Sequence, residues 1–415
     1  MTSKLVGKLV GTLFAAGILL AAPALAGAPD WRGADAETGQ LTAVGDLTQL
    51  ARDYPDSSTV RLRLLNALAD AGNTDAAGMA AIELARRGYA FSPQSEGTIA
   101  GWLDIDYAQW FASAMQVNRH QIAPSSLLTT VPAEAQLVEG LARDPKSGDL
   151  YATTIVSRAL FVKRGEADWQ RLELAGAGSL AGVAWDAKKK LLWVASGDYD
   201  QTPGEKVSAA LIGFDPAAGQ VARRLEAGGM VPLGDVAVGD DGTVYAADPV
   251  HGVIYAAGPT DQALRQLAAP GSFRSPQGLV PAPGNRLIVS DYRYGLAVYD
   301  MGSGRVTRLS AAKPAMLDGI DGLWRRGHSL IAVQNGTSPK RILRLELADD
   351  WLSIKSVTVL ESDAPGWTEP LGGTLDGDRL LYVGTGRWDR FGDGGALADG
   401  ADPGTTDIRA LPLGK

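Results

Sequence analysis

From Val138 to the C-terminus, apolar residues fall in short runs that alternate with polar positions, and each run is closed by Gly, Asp, Asn or Pro. A period of two bounded by turn residues predicts β-strands. The stretch "VEGLARDPKSGDLYATT" (138–154) reads as a strand, a turn at Lys146-Ser147-Gly148-Asp149 and a second strand. The phrase returns. Aligned on its glycine, it occurs as "EGLARD" at 139, "AGVAWD" at 181, "GDVAVG" at 234, "QGLVPA" at 277, "DGLWRR" at 321 and "LGGTLDG" at 371. Each version leads into a turn and a second strand, then a third ("ALFVKR", "ALIGFD", "VIYAAG", "LAVYD", "RILRLEL", "DIRALPL"). The first five units add a fourth strand, and the sixth stops at its third because the sequence ends at Lys415.

Four short strands per unit, repeated every 40–50 residues or so, predict a mainly β fold, a six-bladed β-propeller over residues 125–415. Each unit has two faces to bury and does so only against its neighbours. The strand missing from the sixth unit is expected from "SSLLTTVPA" (125–133), just before the first repeat. Pairing there closes the ring and removes an open sheet edge.

Residues from about 44 to 120 have a different period. Val60, Leu64, Leu65 and Leu68 form one helical stripe, and Met79, Ile82, Leu84 and Ala85 another. Ser57 or Ser58 suits the N-cap of the first helix and Asn73 or Thr74 that of the second. A further helical stretch is expected over about 98–118, with Trp102, Trp110 and Phe111 behind the pair. The helix-turn-helix resembles a single tetratricopeptide-type unit, too few to stand alone as a solenoid. The α-helical module (27–124) is therefore expected to dock on the propeller, as a structural cap or as a surface for a protein partner.

Composition narrows the setting. The chain has 415 residues, 45% hydrophobic and 21% charged, enough for a normal core. Lys4 and Lys8, the apolar run Leu9–Ala22 and Ala24-Leu25-Ala26 predict a cleaved signal peptide over 1–26. The rival, a retained anchor, needs a longer apolar run than this one. The expected location is thus secreted or periplasmic, with no membrane association after cleavage. A net charge of −8 without a basic cluster argues against nucleic-acid binding. No cysteine is present, so neither disulfides nor thiolate metal sites exist, and three dispersed histidines do not suit a His-based zinc site.

Candidate chemistry sits at the repeated glycine. In a propeller the first strand of each blade lines the central channel, so the residue before that glycine lies near one mouth. Reading round the ring gives Glu139, Ala181, Gly234, Gln277, Asp321 and Pro370 or Leu371, with Asp235 beside Gly234. Oxygen donors of this kind suit Ca2+, Mg2+ or Mn2+ and can hold Zn2+. The same acids also read as solvated groups capping strand ends. Asp198, Asp248 and Asp291, at the ends of second strands, read as turn formers. Segment 386–407, rich in Gly and Asp, reads as a flexible loop able to overhang the channel, and Asn335-Gly336-Thr337 as a glycosylation sequon or a turn.

The repeats, with "DGIDGLW" and "LIAVQNG", resemble the six-bladed propellers of the senescence-marker-protein/gluconolactonase (regucalcin) family over about residues 126–413. That resemblance implies one divalent cation held at the channel by Glu139, by the residue at the Gln277 position and by Asp321, with Asp318 a rival register for Asp321. It also implies opening of lactones by a metal-activated water. Two positions depart from the family: Gln277 stands where it has Asn, and Gly234 stands where it has a substrate-contacting Asn. The expected function is an exported hydrolase of lactone-like or small ester substrates, with Asp321, Glu139 or Asp235 moving the proton and a cation on Glu139, Gln277 and Asp321. The alternative is a non-catalytic periplasmic propeller that binds a ligand or protein through a degenerate metal site.

Overall fold

The computed structural model describes residues 41–269 and 271–414. The signal-peptide reading lies outside these residues. Among the described residues no helix is long and apolar enough to cross a membrane.

Six four-stranded antiparallel sheets follow one another in the order the repeats predict. Blade 1 runs Val138–Arg143, Leu150–Thr154, Leu160–Lys163 and Gln170–Leu172 from first strand to last. The first strands of successive blades touch one another all the way round, which makes them the inner wall. Blade 6 is assembled from both ends of the domain. Its strands Gly373–Asp376, Arg379–Val383 and Thr406–Pro412 are completed by Ser126–Val131, which pairs antiparallel with the last of these, Thr130 opposite Asp407.

Alternation along the strands fills the spaces between blades. Val131, Val138, Leu141, Phe161, Leu381 and Ile408 form one buried cluster joining blade 6 to blade 1. Val280, Ile288, Leu323, Leu330 and Leu343 do the same for blades 4 and 5. The closing strand therefore ties together the two ends of the propeller and also completes an interblade core.

Among the described residues five helices precede the propeller: α1 (Val44–Asp53), α2 (Ser58–Asp70), α3 (Thr74–Arg86), α4 (Pro93–Ala100) and α5 (Ile105–Asn118). Ser57 Oγ accepts the Val60 N–H (3.1 Å) and Asn73 Oδ1 the Ala76 N–H (3.2 Å), so both expected caps are in place. The stretch expected as one helix over 98–118 is two. A turn at 101–104 separates them, and Asp104 restarts the second by accepting the Tyr107 N–H (2.9 Å). Helices α2 to α5 share a core that includes Leu65, Ala81, Ile82, Phe91, Phe111 and Met115, and α1 packs its Leu47, Leu50 and Ala51 with Tyr54 and Val60.

The helices dock on blades 4 and 5. Tyr54 stacks on Tyr294 at 4.3 Å, and the Arg308 guanidinium lies over the Tyr54 ring. Leu317 N–H donates to Asp56 O (2.9 Å), and Ala90 N–H donates to Ser338 O (2.7 Å). Asp318, the rival register for Asp321 in the sequence, is fully buried at this contact and does not line the channel cavity.

Truncating Ile408 to Ala in the closing sheet is expected to cost about 2–5 kcal/mol of unfolding free energy in urea melts. A cost under about 0.5 kcal/mol, the level of an ordinary surface change, would show that ring closure lies outside the cooperative core.

Candidate functional site

The repeated glycine has a steric cause. A Cβ on Gly140 would lie 2.7 Å from Ala181 O, on Gly182 2.5 Å from Gly234 O, and on Gly372 2.8 Å from Glu139 O. Only a bare backbone lets the inner strands close up. Having closed, they bond directly: Gly182 N–H donates to Gly234 O (2.8 Å), and Gly372 N–H to Glu139 O (3.1 Å). Register also shifts at this place, between Val138 and Leu141, Leu180 and Val183, Pro276 and Leu279, and Ile320 and Gly322. A β-bulge of this kind re-aims the neighbouring side chain.

Glu139, Asp235, Gln277 and Asp321 accordingly line one cavity of about 620 Å3 along the axis. Gln277 Oε1 would lie 3.5 Å from a Cβ on Gly234, so its longer side chain reaches into the space that Gly234 leaves open in blade 3. At the far end of the same strands the cavity wall includes Arg143, Arg325 and Asp240. Arg143 is paired with Asp376 at 2.6 Å, and Arg325 lies 3.9 Å from Asp240. One end is acidic and the other mixed.

Three of the acids are held by neutral donors. Trp388 Nε1–H donates to Glu139 Oε2 (2.7 Å), Asn335 Nδ2–H to Asp321 Oδ2 (2.9 Å) and Leu279 N–H to Asp235 Oδ2 (3.2 Å). Burial pushes the Glu139 carboxyl well above its ordinary range, and Asp321 adds to that push against the Trp388 bond. Burial, then Glu369, raises Asp321, while Asn335 pulls it down. Burial lifts Asp235 to about 7, opposed by the Val236 and Leu279 N–H groups. Glu369, also raised by burial, is partly offset by Lys340.

Tyr199, Tyr292, Asn335, Glu369 and Trp388 also line this wall and are not among the sequence candidates. Asn335 directly follows a second strand, the same location as the aspartates at 198, 248 and 291, and that shared position was a usable signal. Its side chain is buried and bonded to both Asp321 and Pro370 O, which leaves no amide free for a glycan. Trp388 comes from the long loop of blade 6. That loop does overhang the mouth, and it is anchored: Gly394 N–H donates to Asp200 O (2.7 Å), and the Trp388 ring lies 6.0 Å from that of Tyr199. Asp248 forms the expected turn, accepting the Val250 and His251 N–H groups. Asp198 instead pairs with Lys206 at 2.8 Å, which folds the 202–206 insertion back on the blade.

No protein-family model and no curated protein matches this sequence. Solved structures do. The chain is similar to a calcium-binding protein, regucalcin, from Agrobacterium tumefaciens (17% identity, TM-score 0.47, 70% of this chain and 95% of that one). It is similar to a luciferin-regenerating enzyme (14%, 0.47, 70% and 96%). A PQQ-bound aldose sugar dehydrogenase from Streptomyces coelicolor is a third (16%, 0.45, 70% and 99%). At these identities the likeness is one of fold. It includes the family named from the repeats.

A carboxyl whose pKa is higher in the folded chain than in the unfolded one binds more protons when folded. Its contribution to stability is present at low pH and lost as pH rises through the folded value. For Asp235 that window runs from 3.8 to about 7. Between about pH 5 and about pH 8 the wild type is therefore expected to lose more Tm than Asp235→Asn, which carries no titrating group there. Equal slopes in thermal melts would remove Asp235 from the buried acid group.

Proposed function

We propose that this chain is a hydrolase of lactone-like or small ester substrates working at the acidic mouth, with one divalent cation shared by Glu139 and Asp321. The observation that carries the reading is that three buried carboxyls from different blades, Glu139, Asp235 and Asp321, line one cavity, each held by a neutral donor and none by a guanidinium. Mutual repulsion of that kind is relieved by a cation or a proton.

The donors fit a hard cation, since they are carboxylate and amide oxygens. Among the described residues no three His, Cys, Asp or Glu side chains come together at metal-holding spacing. Glu139 and Asp321 would be the two carboxylate ligands, and Gln277 the amide. A cation bound there supplies an electrophile for the substrate carbonyl. Asp235 is the proton carrier in this reading. Its pKa of about 7 lets it accept a proton from water and return one to the leaving alkoxide at neutral pH. Asn335 orients Asp321 and Trp388 orients Glu139. Tyr199, Tyr292 and Trp388 give the substrate apolar ring faces. With the cation on two of the acids, Asp235 and Glu369 still face the cavity, so neutral or cationic substrates are favoured over carboxylated or phosphorylated ones.

One observation favours a second reading, a propeller that binds its ligand without turnover. The Gln277 amide oxygen reaches into the space beside Gly234 of blade 3, and among the described residues the acids do not form a three-carboxylate cluster at metal-holding spacing.

Titration calorimetry with Mn2+ and Ca2+ is expected to show uptake of one cation that Glu139→Ala and Asp321→Ala abolish. Asp235→Asn should keep the cation and lower lactone hydrolysis by about 10²-fold or more. Uptake without turnover selects the second reading, and neither uptake nor turnover overturns both. Export belongs to the same proposal. Protein recovered from the periplasm is expected to begin at Gly27 by N-terminal sequencing, and an intact Met1 would remove it.

A further inference from the structure

The helical module meets the propeller on loops that also carry residues of the acidic mouth. The chain of contacts begins at Asp318. Its Oδ1 accepts the Ser58 N–H and its Oδ2 the Thr59 N–H, both at 2.8 Å, and Ser58 Oγ donates to the same carboxylate at 3.0 Å. A carboxylate at a helix N-terminus satisfies N–H groups that the helix itself leaves unpaired. Asp318 thus caps α2 from the propeller side.

From Asp318 the contacts run to the mouth without a gap. Gln334 Nε2–H donates to Asp318 O (2.7 Å). Gly319, at φ +65, donates its N–H to Tyr292 O (2.7 Å) and accepts the Gly336 N–H (3.0 Å). A Cβ on Gly319 would fall 2.8 Å from the Gly336 carbonyl carbon, and one on Gly336 would fall 2.5 Å from Tyr292 Oη, so the three residues are packed to contact. Tyr292 Oη–H donates to Asn335 Oδ1 (2.9 Å), and Asn335 Nδ2–H donates to Asp321 Oδ2 (2.9 Å).

We infer that Asp318 is a positioning residue of the channel site: by clasping the N-terminus of α2 it holds the 318–321 strand entry and the Tyr292–Asn335 pair that aims the Asp321 carboxylate. The helical module is in this sense part of the site, although none of its described side chains lines the acidic cavity. Only Gly319 and Ile320 separate the clasp from the acid it aims, and both partners of Asn335 in that aim, Tyr292 and Asp321, belong to the same packed loops.

The inference rests on the mouth being a cation site only for its first readout, Mn2+ affinity by calorimetry on the full chain. Asp318→Asn, and the milder Ser58→Ala, are expected to weaken Mn2+ by about 10-fold and by less than that respectively, the range for groups that orient a ligand. Tyr54→Ala is the control. It removes the stack on Tyr294, a docking contact outside the Asp318 chain, and is expected to lower Tm while leaving Mn2+ affinity within about twofold. Equal loss of affinity in Tyr54→Ala and Asp318→Asn, or none in Asp318→Asn, overturns the inference. A second readout needs no cation: a double-mutant cycle between Asp318→Asn and Asn335→Ala in urea unfolding. The unfolding constants are expected to be non-additive by at least about fivefold. Additivity within about twofold overturns the inference, and if the wild type takes up no Mn2+, the cation reading alone fails and this cycle decides.

Discussion

Six inner strands have to come within backbone contact of one another around a single axis, and everything else in the propeller follows from that crowding. Side chains do not fit between them at the level of Gly140, Gly182 and Gly372. Glycine there lets peptide groups of neighbouring blades bond across the gap. The accompanying bulges break the pleat and turn the adjacent residue toward the axis. One steric requirement thus sets the repeat and also places a ring of side chains in the channel. In this chain several of them are acids.

Carboxyls crowded in this way cannot all ionise cheaply. Burial raises them, repulsion raises them further, and neutral donors such as Asn335 and Trp388 only partly offset the cost. The protein has not spread basic groups among them. Arg143 and Arg325 stand at the other end of the channel, close to Asp376 and Asp240. Polarity along the axis is therefore a property of the fold, with charge that seeks a partner at one mouth and charge that has one at the other.

The helices add asymmetry to a nearly symmetric ring. They sit over blades 4 and 5, while the loop carrying Trp388 reaches over blades 1 and 2. The mouth is thereby overhung on one side by a loop outside the repeat, while the helices brace loops of blades 4 and 5. Asp318 shows how closely repeat and addition are joined, because a carboxylate of the propeller finishes a helix of the module.

The alternation of apolar and polar residues was enough to count blades, because strand period and turn residues are local properties. It also foretold the closing strand at Ser126–Val131, since a unit one strand short must borrow one. Glu139, Asp235, Gln277 and Asp321 were legible as mouth residues from their place beside the repeated glycine. Asp318 was not separable from Asp321, because both precede a glycine and only docking of α2 buries the one and leaves the other in the channel. Glu369, Trp388 and Asn335 were missed for the same reason. Their roles depend on which loop ends meet across the axis. The sequence by itself therefore determined the architecture and the acid ring. The tertiary structure alone decided which acids share a cavity, which donors hold them and which one serves the helices, because burial and repulsion act between residues brought together by ring closure rather than by neighbourhood in the chain.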